Sequence, residues 1–183
     1  MRIISGQYGG RVLKSPPDNR TRPTSDRLRE TLFNVIAPRL DEDTRFLDLC
    51  AGTGAIGIEA VSRGVAFVTF VDRSKKACAL IEENLDKLGV PESATDVLAL
   101  EAENFCGRRH EVGWDIAFFD PPYDSDYSLV LHEFGYNHTL LNEDGLLIVE
   151  HHTKKQVPDE VGSIRRWRVL KQGESTLSFY EAK

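Results

Sequence analysis

Short apolar segments alternate with amphipathic segments over most of this chain. From residue 45 onward, apolar runs predict strands, and apolar residues spaced three and four apart predict helices between them. The expected strands are 46–50, 66–71, 96–100, 114–119 and 146–150, and the expected helices are 55–63, 74–88, 102–108 and 125–137. Because strands that alternate with helices pair in parallel, we expect an α/β fold with a Rossmann-like, doubly wound, mostly parallel seven-stranded sheet.

The two ends of the chain depart from this alternation. Residues 164–171 and 175–181 predict two strands joined by Gln172-Gly173-Glu174, so a C-terminal antiparallel hairpin should complete the sheet. At the other end, residues 1–14 carry apolar pairs on either side of a glycine-rich turn and predict a small N-terminal β-hairpin.

One helix is predicted between that hairpin and the alternating region. Thr24 or Ser25 can cap this helix, and Pro38 ends it. Its apolar residues share one face, and its charged residues, Arg29 among them, are expected largely off that face. We therefore expect two parts: an N-terminal extension of hairpin and helix at residues 1–39, and one compact domain at residues 40–183.

The charge is distributed unevenly. The chain of 183 residues has a net charge of −6, yet residues 1–39 hold eight basic and three acidic residues, a net of +5, and the remainder carries −11. A basic segment on an acidic body suits a protein that contacts phosphates at one restricted place. The alternative is a solvated basic face without a partner.

Composition excludes several other classes of protein. Cys50, Cys78 and Cys106 stand far apart without a CxxC pair, which argues against a disulfide framework and a zinc site. The histidines have no metal-site spacing, so we expect no metal. The apolar runs are far shorter than the ~18 residues of a membrane span, and no leader pattern opens the chain. We expect a cytoplasmic protein with no membrane partner.

A glycine-rich loop follows the first predicted strand of the alternating region. Gly52, Gly54 and Gly57 satisfy GxGxxG where strand 46–50 meets helix 55–63. Small residues let a ligand approach the backbone, the helix N-terminus supplies N–H donors, and Asp72, about 20 residues on, can accept two ribose hydroxyls. The pattern predicts an adenosine-containing ligand; the alternative is a glycine turn needed only for packing.

Asp48 separates two cofactor classes that share this loop. A carboxylate before the glycines would help to hold the methionine ammonium of S-adenosylmethionine but would repel a pyrophosphate, so charge favours the methyl donor over a dinucleotide. Asp48 could instead pair with a neighbouring basic side chain. Glu101, just past strand 96–100, is a candidate acceptor for the adenine amine, for which Glu103 and Asn104 compete.

The tetrad Asp120-Pro121-Pro122-Tyr123 directly follows the apolar strand 114–119. Proline fixes φ and lacks an N–H, so the two prolines form a stiff exit from the strand. Such an exit could direct the Asp120 carboxylate and the Pro121 carbonyl at one substrate amine, while the Tyr123 ring offers a stacking face for a base. The alternative is a proline turn with an ordinary packed tyrosine.

Taken together, these motifs resemble a class I S-adenosylmethionine-dependent methyltransferase. The donor loop is DLCAGTGAIGIEA at 48–60, and DPPY is the amino-methylating motif. The segments MRIISG at 1–6, RPTSDRLRETLFN at 22–34 and EAVSRG at 59–64 further resemble the RsmD family, which methylates N2 of a guanine in bacterial 16S ribosomal RNA. This resemblance covers essentially the whole chain.

The resemblance implies roles for individual residues. The donor S-adenosylmethionine, which leaves as S-adenosylhomocysteine, would be held by Thr24, Asp48, Ala51, Gly52, Thr53, Gly54, Asp72, Arg73, Glu101 and Ala102. The catalytic residues would be Asp120, Pro121, Pro122 and Tyr123, and the helix starting at Thr24 would close over the methionine end of the donor. RNA contacts would fall on Arg2, Arg11, Lys14 and Arg22, since Gly9 stands where family members tend to carry a basic residue.

The expected partner is 16S ribosomal RNA, within the small subunit or its precursor, and the chain is expected to act as a monomer. Three other functions remain open at this point. DPPY also suits an amino-methyltransferase for adenine N6 or for another amine on DNA, RNA or protein. GxGxxG also suits an NAD-dependent oxidoreductase, and a basic segment without catalysis suits an RNA-binding factor.

Overall fold

The computed structural model describes residues 1–16 and 25–183, which contain five α-helices and eight strands. The helices are α1 Asp26–Ile36, α2 Ala55–Ser62, α3 Lys75–Leu88, α4 Ala102–Cys106 and α5 Ser128–Tyr136. The strands are β1 Arg45–Leu49, β2 Phe67–Asp72, β3 Thr95–Ala99, β4 Trp114–Phe119, β5 Leu141–His152, β6 Glu160–Val161, β7 Ile164–Gln172 and β8 Ser175–Ala182.

The strands form one twisted sheet in the order β3-β2-β1-β4-β5-β8-β7-β6. The first five strands along that order pair in parallel, and the last four, counted from β5, pair antiparallel. This confirms the α/β, doubly wound, mostly parallel fold with a C-terminal hairpin. The described residues form eight strands where seven were expected, because the two-residue strand β6 is too short to leave an apolar pattern in the sequence.

Side chains of the central strands alternate between two apolar cores. One core lies on the face with Phe46, Phe70 and Phe118, together with α1, α2 and α3. The other contains Leu47 and Phe119, together with α4 and α5. Since parallel strands covered on both faces bury every residue, their near-continuous apolar runs are explained.

The predicted N-terminal hairpin is present as a short antiparallel pairing around the bridge between Arg2 and Val12, with backbone hydrogen bonds from Ile3 N to Arg11 O at 2.9 Å and from Leu13 N to Met1 O at 2.8 Å. The segment is also attached to α2, because the buried Glu59 carboxylate accepts hydrogen bonds from the backbone N–H of Ile4 at 2.8 Å and of Ser5 at 3.0 Å. Backbone donors that point away from the hairpin partner are thus paired with a side chain of the core. These contacts support, as a proposal, an extension at residues 1–39 packed on the core at 40–183.

Helix α1 begins after Ser25, whose hydroxyl accepts a hydrogen bond from Leu28 N at 3.2 Å. It passes into a 3₁₀ turn, Ala37–Arg39, that contains Pro38. The expectation that Arg29 lies off the buried face is wrong, because its side chain is 0% exposed and donates to Arg2 O and Asp26 Oδ1, both at 2.7 Å. The N-terminal segment covers that side of the helix, and helical periodicity carries no information about such a long-range contact.

Candidate active site

A cavity of about 830 Å³ opens at the carboxyl ends of β1, β2, β4 and β5. Parallel strands end at a common edge, and ligands of doubly wound folds bind beyond that edge. Most of the residues predicted from the motifs line this cavity: Asp48, Ala51, Gly52, Thr53, Asp72, Arg73, Glu101, Ala102, Asp120, Pro121, Pro122 and Tyr123. Gly54 caps α2 directly beneath the loop, and the predicted residues Thr24 and Arg22 lie outside the described residues.

Two glycines of the loop are required for different reasons. Gly52 has φ +55°, and a Cβ added there would find only Cys50 O, at 3.9 Å, so the space above its backbone is open to a ligand. A Cβ on Gly57 would come within 2.2 Å of the Phe70 ring, so this glycine lets α2 pack closely on β2. The loop therefore combines an open cradle with a tightly packed helix start, as adenosine-containing ligands require.

Asp72 ends β2 and fixes the loop from the side. Its Oδ2 accepts a hydrogen bond from Gly52 N at 2.8 Å, and its Oδ1 accepts one from Ser74 N at 2.8 Å. A carboxylate can accept about four hydrogen bonds, so two backbone donors leave capacity for a ribose diol. Asp72 thus both holds the glycine turn and presents acceptors to the cavity.

Asp48 is a buried carboxylate with 2% of its surface exposed. Its Oδ2 accepts a hydrogen bond from Gly57 N at 2.9 Å, and no basic side chain within residues 1–16 and 25–183 forms an ion pair with it. Burial, with the nearby charge of Asp72 as a further cause, raises the pKa of Asp48 to about 8. A cationic ligand group in the cavity would therefore supply the opposite charge that the site lacks.

Cys50 lies between β1 and the glycine loop with φ +60°, a conformation that non-glycine residues rarely adopt. Its thiol is a poor nucleophile, since burial raises the thiol pKa well above its usual range. Strained backbone of this kind concentrates at ligand sites, and here it turns the chain from β1 into the cradle. Cys50 therefore shapes the cavity through its backbone, and we do not expect its thiol to act as a nucleophile.

The Asp120–Tyr123 loop is held by neighbours on three strands. Asp120 N donates to Leu49 O at 3.3 Å, which ties the loop to β1. The Tyr123 hydroxyl lies 2.8 Å from Ser175 Oγ, and the Tyr123 ring meets the His152 ring in an edge-on arrangement with centroids 5.3 Å apart. The aromatic ring is therefore set at the cavity wall by contacts with β5 and β8.

Lys155 also holds the Asp120–Tyr123 loop in place. Its Nζ donates to Tyr123 O at 3.1 Å and to Ser125 O at 2.5 Å, and it lies 3.9 Å from the centroid of the Tyr127 ring. The Tyr127 hydroxyl in turn donates to Pro121 O at 3.5 Å. The Pro121 carbonyl predicted to face a substrate amine thus also has a partner on the protein side.

Several residues that line the cavity were not predicted as site residues. They are Ser25, which caps α1, Leu28 of α1, Glu150 near the end of β5, and Gln172, Gly173, Glu174 and Ser175 at the β7–β8 turn. Glu150 could have been predicted, because it directly follows the apolar run 146–149 and parallel strands end at one edge of the sheet. The β7–β8 turn could not have been predicted, since only the strand order brings it to the site.

The predicted RNA-binding residues that the structure describes, Arg2, Arg11 and Lys14, lie on the N-terminal segment and outside the cavity lining. Arg2 is exposed and lies 3.8 Å from Asp26, and the Lys14 ammonium lies 2.6 Å from the Glu83 carboxylate. The Arg11 guanidinium lies over the Tyr8 ring. Across the two described ranges, no group of three His, Cys, Asp or Glu residues could hold a metal ion, and no helix has the length and apolarity to cross a membrane.

Comparison with known proteins gives a consistent result. Residues 1–181 match the family model described as Conserved hypothetical protein 95. The chain is 36% identical to YlbH of Bacillus subtilis, whose name proposes an rRNA methyltransferase, with 100% of both chains covered. It is 29% identical to ribosomal RNA small subunit methyltransferase D of Haemophilus influenzae, over 98% of this chain and 91% of that one. The solved structure of YhhF from Escherichia coli, described as a proposed methyltransferase, has a TM-score of 0.89 at 29% identity, with 100% and 98% of the chains covered.

Proposed function

The chain belongs to the family described as Conserved hypothetical protein 95, the RsmD family of rRNA methyltransferases, and from this we propose that it methylates the N2 amine of a guanine in 16S ribosomal RNA. The methyl donor is S-adenosylmethionine. The observation that carries the proposal is one cavity that joins the glycine cradle, the buried Asp48 and the Asp120–Tyr123 loop.

The cradle fits S-adenosylmethionine better than a dinucleotide. The ammonium of the methionine moiety would meet Asp48, the ribose diol would meet Asp72, and the adenine amine would meet Glu101, which also lines the cavity. A pyrophosphate at the same place would gain no opposite charge from Asp48, since its negative charge would favour the protonated form of that buried acid. When it is bound, S-adenosylmethionine supplies an electrophilic methyl group on a positively charged sulfur.

The chain's own residues act on the nucleophile. A guanine amine is a poor nucleophile because its lone pair is delocalised into the ring. The Asp120 carboxylate and the Pro121 carbonyl accept hydrogen bonds from its two N–H groups. These bonds favour a pyramidal nitrogen whose lone pair points at the methyl donor. The amine proton leaves to Asp120 or to water, and Asp120 need not be a strong base, since the amine becomes acidic only as the new N–C bond forms. The Tyr123 ring holds the base after it has left its stack.

The N-terminal segment is proposed to contact the RNA backbone. It reaches the edge of the cradle, where the Thr53 hydroxyl lies 3.7 Å from the Met1 sulfur. Arg2 and Arg11 are exposed on it, whereas Lys14 is engaged by Glu83 and Arg22 lies outside the described residues. Since the rest of the chain is acidic, we propose that the substrate is the small subunit or its precursor, where ribosomal protein and RNA shape add contacts.

A binding titration and one variant test this proposal. Calorimetry with S-adenosylmethionine and with NAD should give binding for the first ligand only. Asp120→Ala should abolish methyl transfer to small subunits from a strain that lacks this protein, and it should bind S-adenosylmethionine with nearly unchanged affinity. Binding of NAD alone, or normal turnover by Asp120→Ala, would refute the proposed function.

A further inference from the structure

Glu150 stands beside Asp120 because of the register of two parallel strands. Phe119 pairs with Val149, so the next residues of the two strands, Asp120 and Glu150, lie side by side at the same edge of the sheet. Neighbouring strands are about 4.8 Å apart, and paired positions in a parallel sheet direct their side chains to one face. Both residues line the cavity.

Glu150 is placed as a fixed hydrogen-bond acceptor. It is 4% exposed, and its Oε1 accepts a hydrogen bond from the Tyr123 hydroxyl at 3.5 Å. It lies on a central strand, where the packed sheet limits its movement, whereas Asp120 lies on a loop. A carboxylate has about four acceptor positions, so the hydrogen bond from Tyr123 occupies only one of them.

Guanine and adenine differ in what lies beside their exocyclic amine. In guanine the N2 amine is adjacent to N1–H, a second donor, so the edge presents two donors side by side. In adenine the N6 amine is adjacent to N1, an acceptor. Two neighbouring carboxylates therefore match the guanine edge, whereas one of them would face the N1 lone pair of adenine and repel it.

On the basis of the proposed function, we propose that Glu150 is the specificity-determining residue that accepts N1–H of the target guanine while Asp120 accepts the N2 amine. The pair selects guanine over purines that lack N1–H. A purine without N1–H would leave the buried Glu150 acceptor without a donor in the complex. Such a loss typically lowers kcat/KM tenfold to a hundredfold or more relative to the correct base.

The test compares two bases at the target position of reconstituted small subunits. One carries guanine, and the other carries 2-aminopurine, which keeps the 2-amine but has a bare N1 acceptor. The measured quantity is the ratio of kcat/KM for the two substrates. The wild-type ratio should favour guanine, and Glu150→Gln should lower that ratio roughly tenfold or more, since an amide can donate to N1 as well as accept from N1–H. Contacts to O6 affect both enzymes equally and cancel in this comparison.

Glu174→Gln is the matched control, because it makes the same chemical change on an exposed residue of the β7–β8 turn that also lines the cavity. It should leave the ratio at the wild-type value. Thermal melting and S-adenosylmethionine affinity establish that each variant is folded. Equal losses on both bases in Glu150→Gln would overturn the proposal, since they would mean that Glu150 only supports Tyr123. Absence of wild-type guanine methylation would instead refute the proposed function itself.

Discussion

Replacing Asp48 by asparagine tests whether this buried acid is kept for a cationic ligand. The amide retains the shape of the side chain and can still accept the Gly57 N–H bond, but it cannot ionise. Burial raises the pKa of Asp48 from 3.8 to about 8, so the folded protein holds a proton there that the unfolded chain releases near pH 4. This group's contribution to stability is therefore complete below pH 4 and is lost as the pH rises toward 8.

The size of the effect follows from that difference in pKa. Between pH 6 and pH 8, a group with a folded pKa of about 8 loses about 2 kcal/mol of the free energy of unfolding, since each pH unit below the folded pKa contributes 1.36 kcal/mol. Asp48→Asn does not show this loss, because the amide does not titrate. All other groups titrate alike in the variant and the wild type, so their contributions cancel. The difference between the two proteins over this pH range should therefore be about 2 kcal/mol.

Urea unfolding of both proteins at pH 6 and pH 8, without ligand, measures this quantity. Calorimetry of S-adenosylmethionine binding gives the functional counterpart. The wild-type affinity should increase from pH 6 to pH 8, because the carboxylate form pairs with the ammonium, and the affinity of Asp48→Asn should stay flat and be weaker at pH 8 by about 2 kcal/mol, roughly 30-fold. If Asp48→Asn kept the wild-type pH dependence of both stability and affinity, the assignment of Asp48 would be refuted.

Two further variants test the framework around the site. Gly57→Ala places a Cβ 2.2 Å from the Phe70 ring, so urea unfolding should show a loss of about 1–3 kcal/mol with weaker donor binding; unchanged stability would contradict the close packing of α2 on β2. Lys155→Met removes the ammonium that holds Tyr123 O and Ser125 O, so steady-state kinetics should show kcat reduced about tenfold or more with donor affinity unchanged, and Lys155→Arg should restore part of it. Equal kcat for Lys155→Met and wild type would remove Lys155 as a positioning residue.

The parts of this molecule that the sequence predicted are those with short-range signals. The loop at Gly52 joins a strand to a helix in consecutive residues, and the tetrad at Asp120 directly follows an apolar run, so both could be placed at the carboxyl edge of a parallel sheet. A helix cap at Thr24 or Ser25 was predicted for the same reason, and Ser25 caps α1. In each case one stretch of chain contains both the element and the residue that uses it.

The parts that were missed depend on contacts between distant segments. Arg29 is buried because residues near Arg2 cover α1, and Ser175 reaches Tyr123 because β8 pairs with β5. The attachment of the N-terminal hairpin to α2 has a similar origin, since Glu59 accepts hydrogen bonds from the backbone N–H groups of Ile4 and Ser5. Neither periodicity nor residue spacing carries information on such pairings.

The most direct test of the account is to identify the methylated nucleoside. Small subunits from a strain that lacks this protein are incubated with the protein and labelled S-adenosylmethionine, and the 16S RNA is then digested to nucleosides and separated. We expect label in N2-methylguanosine, with none from Asp120→Ala. Label in N6-methyladenosine or in ribosomal protein would contradict it.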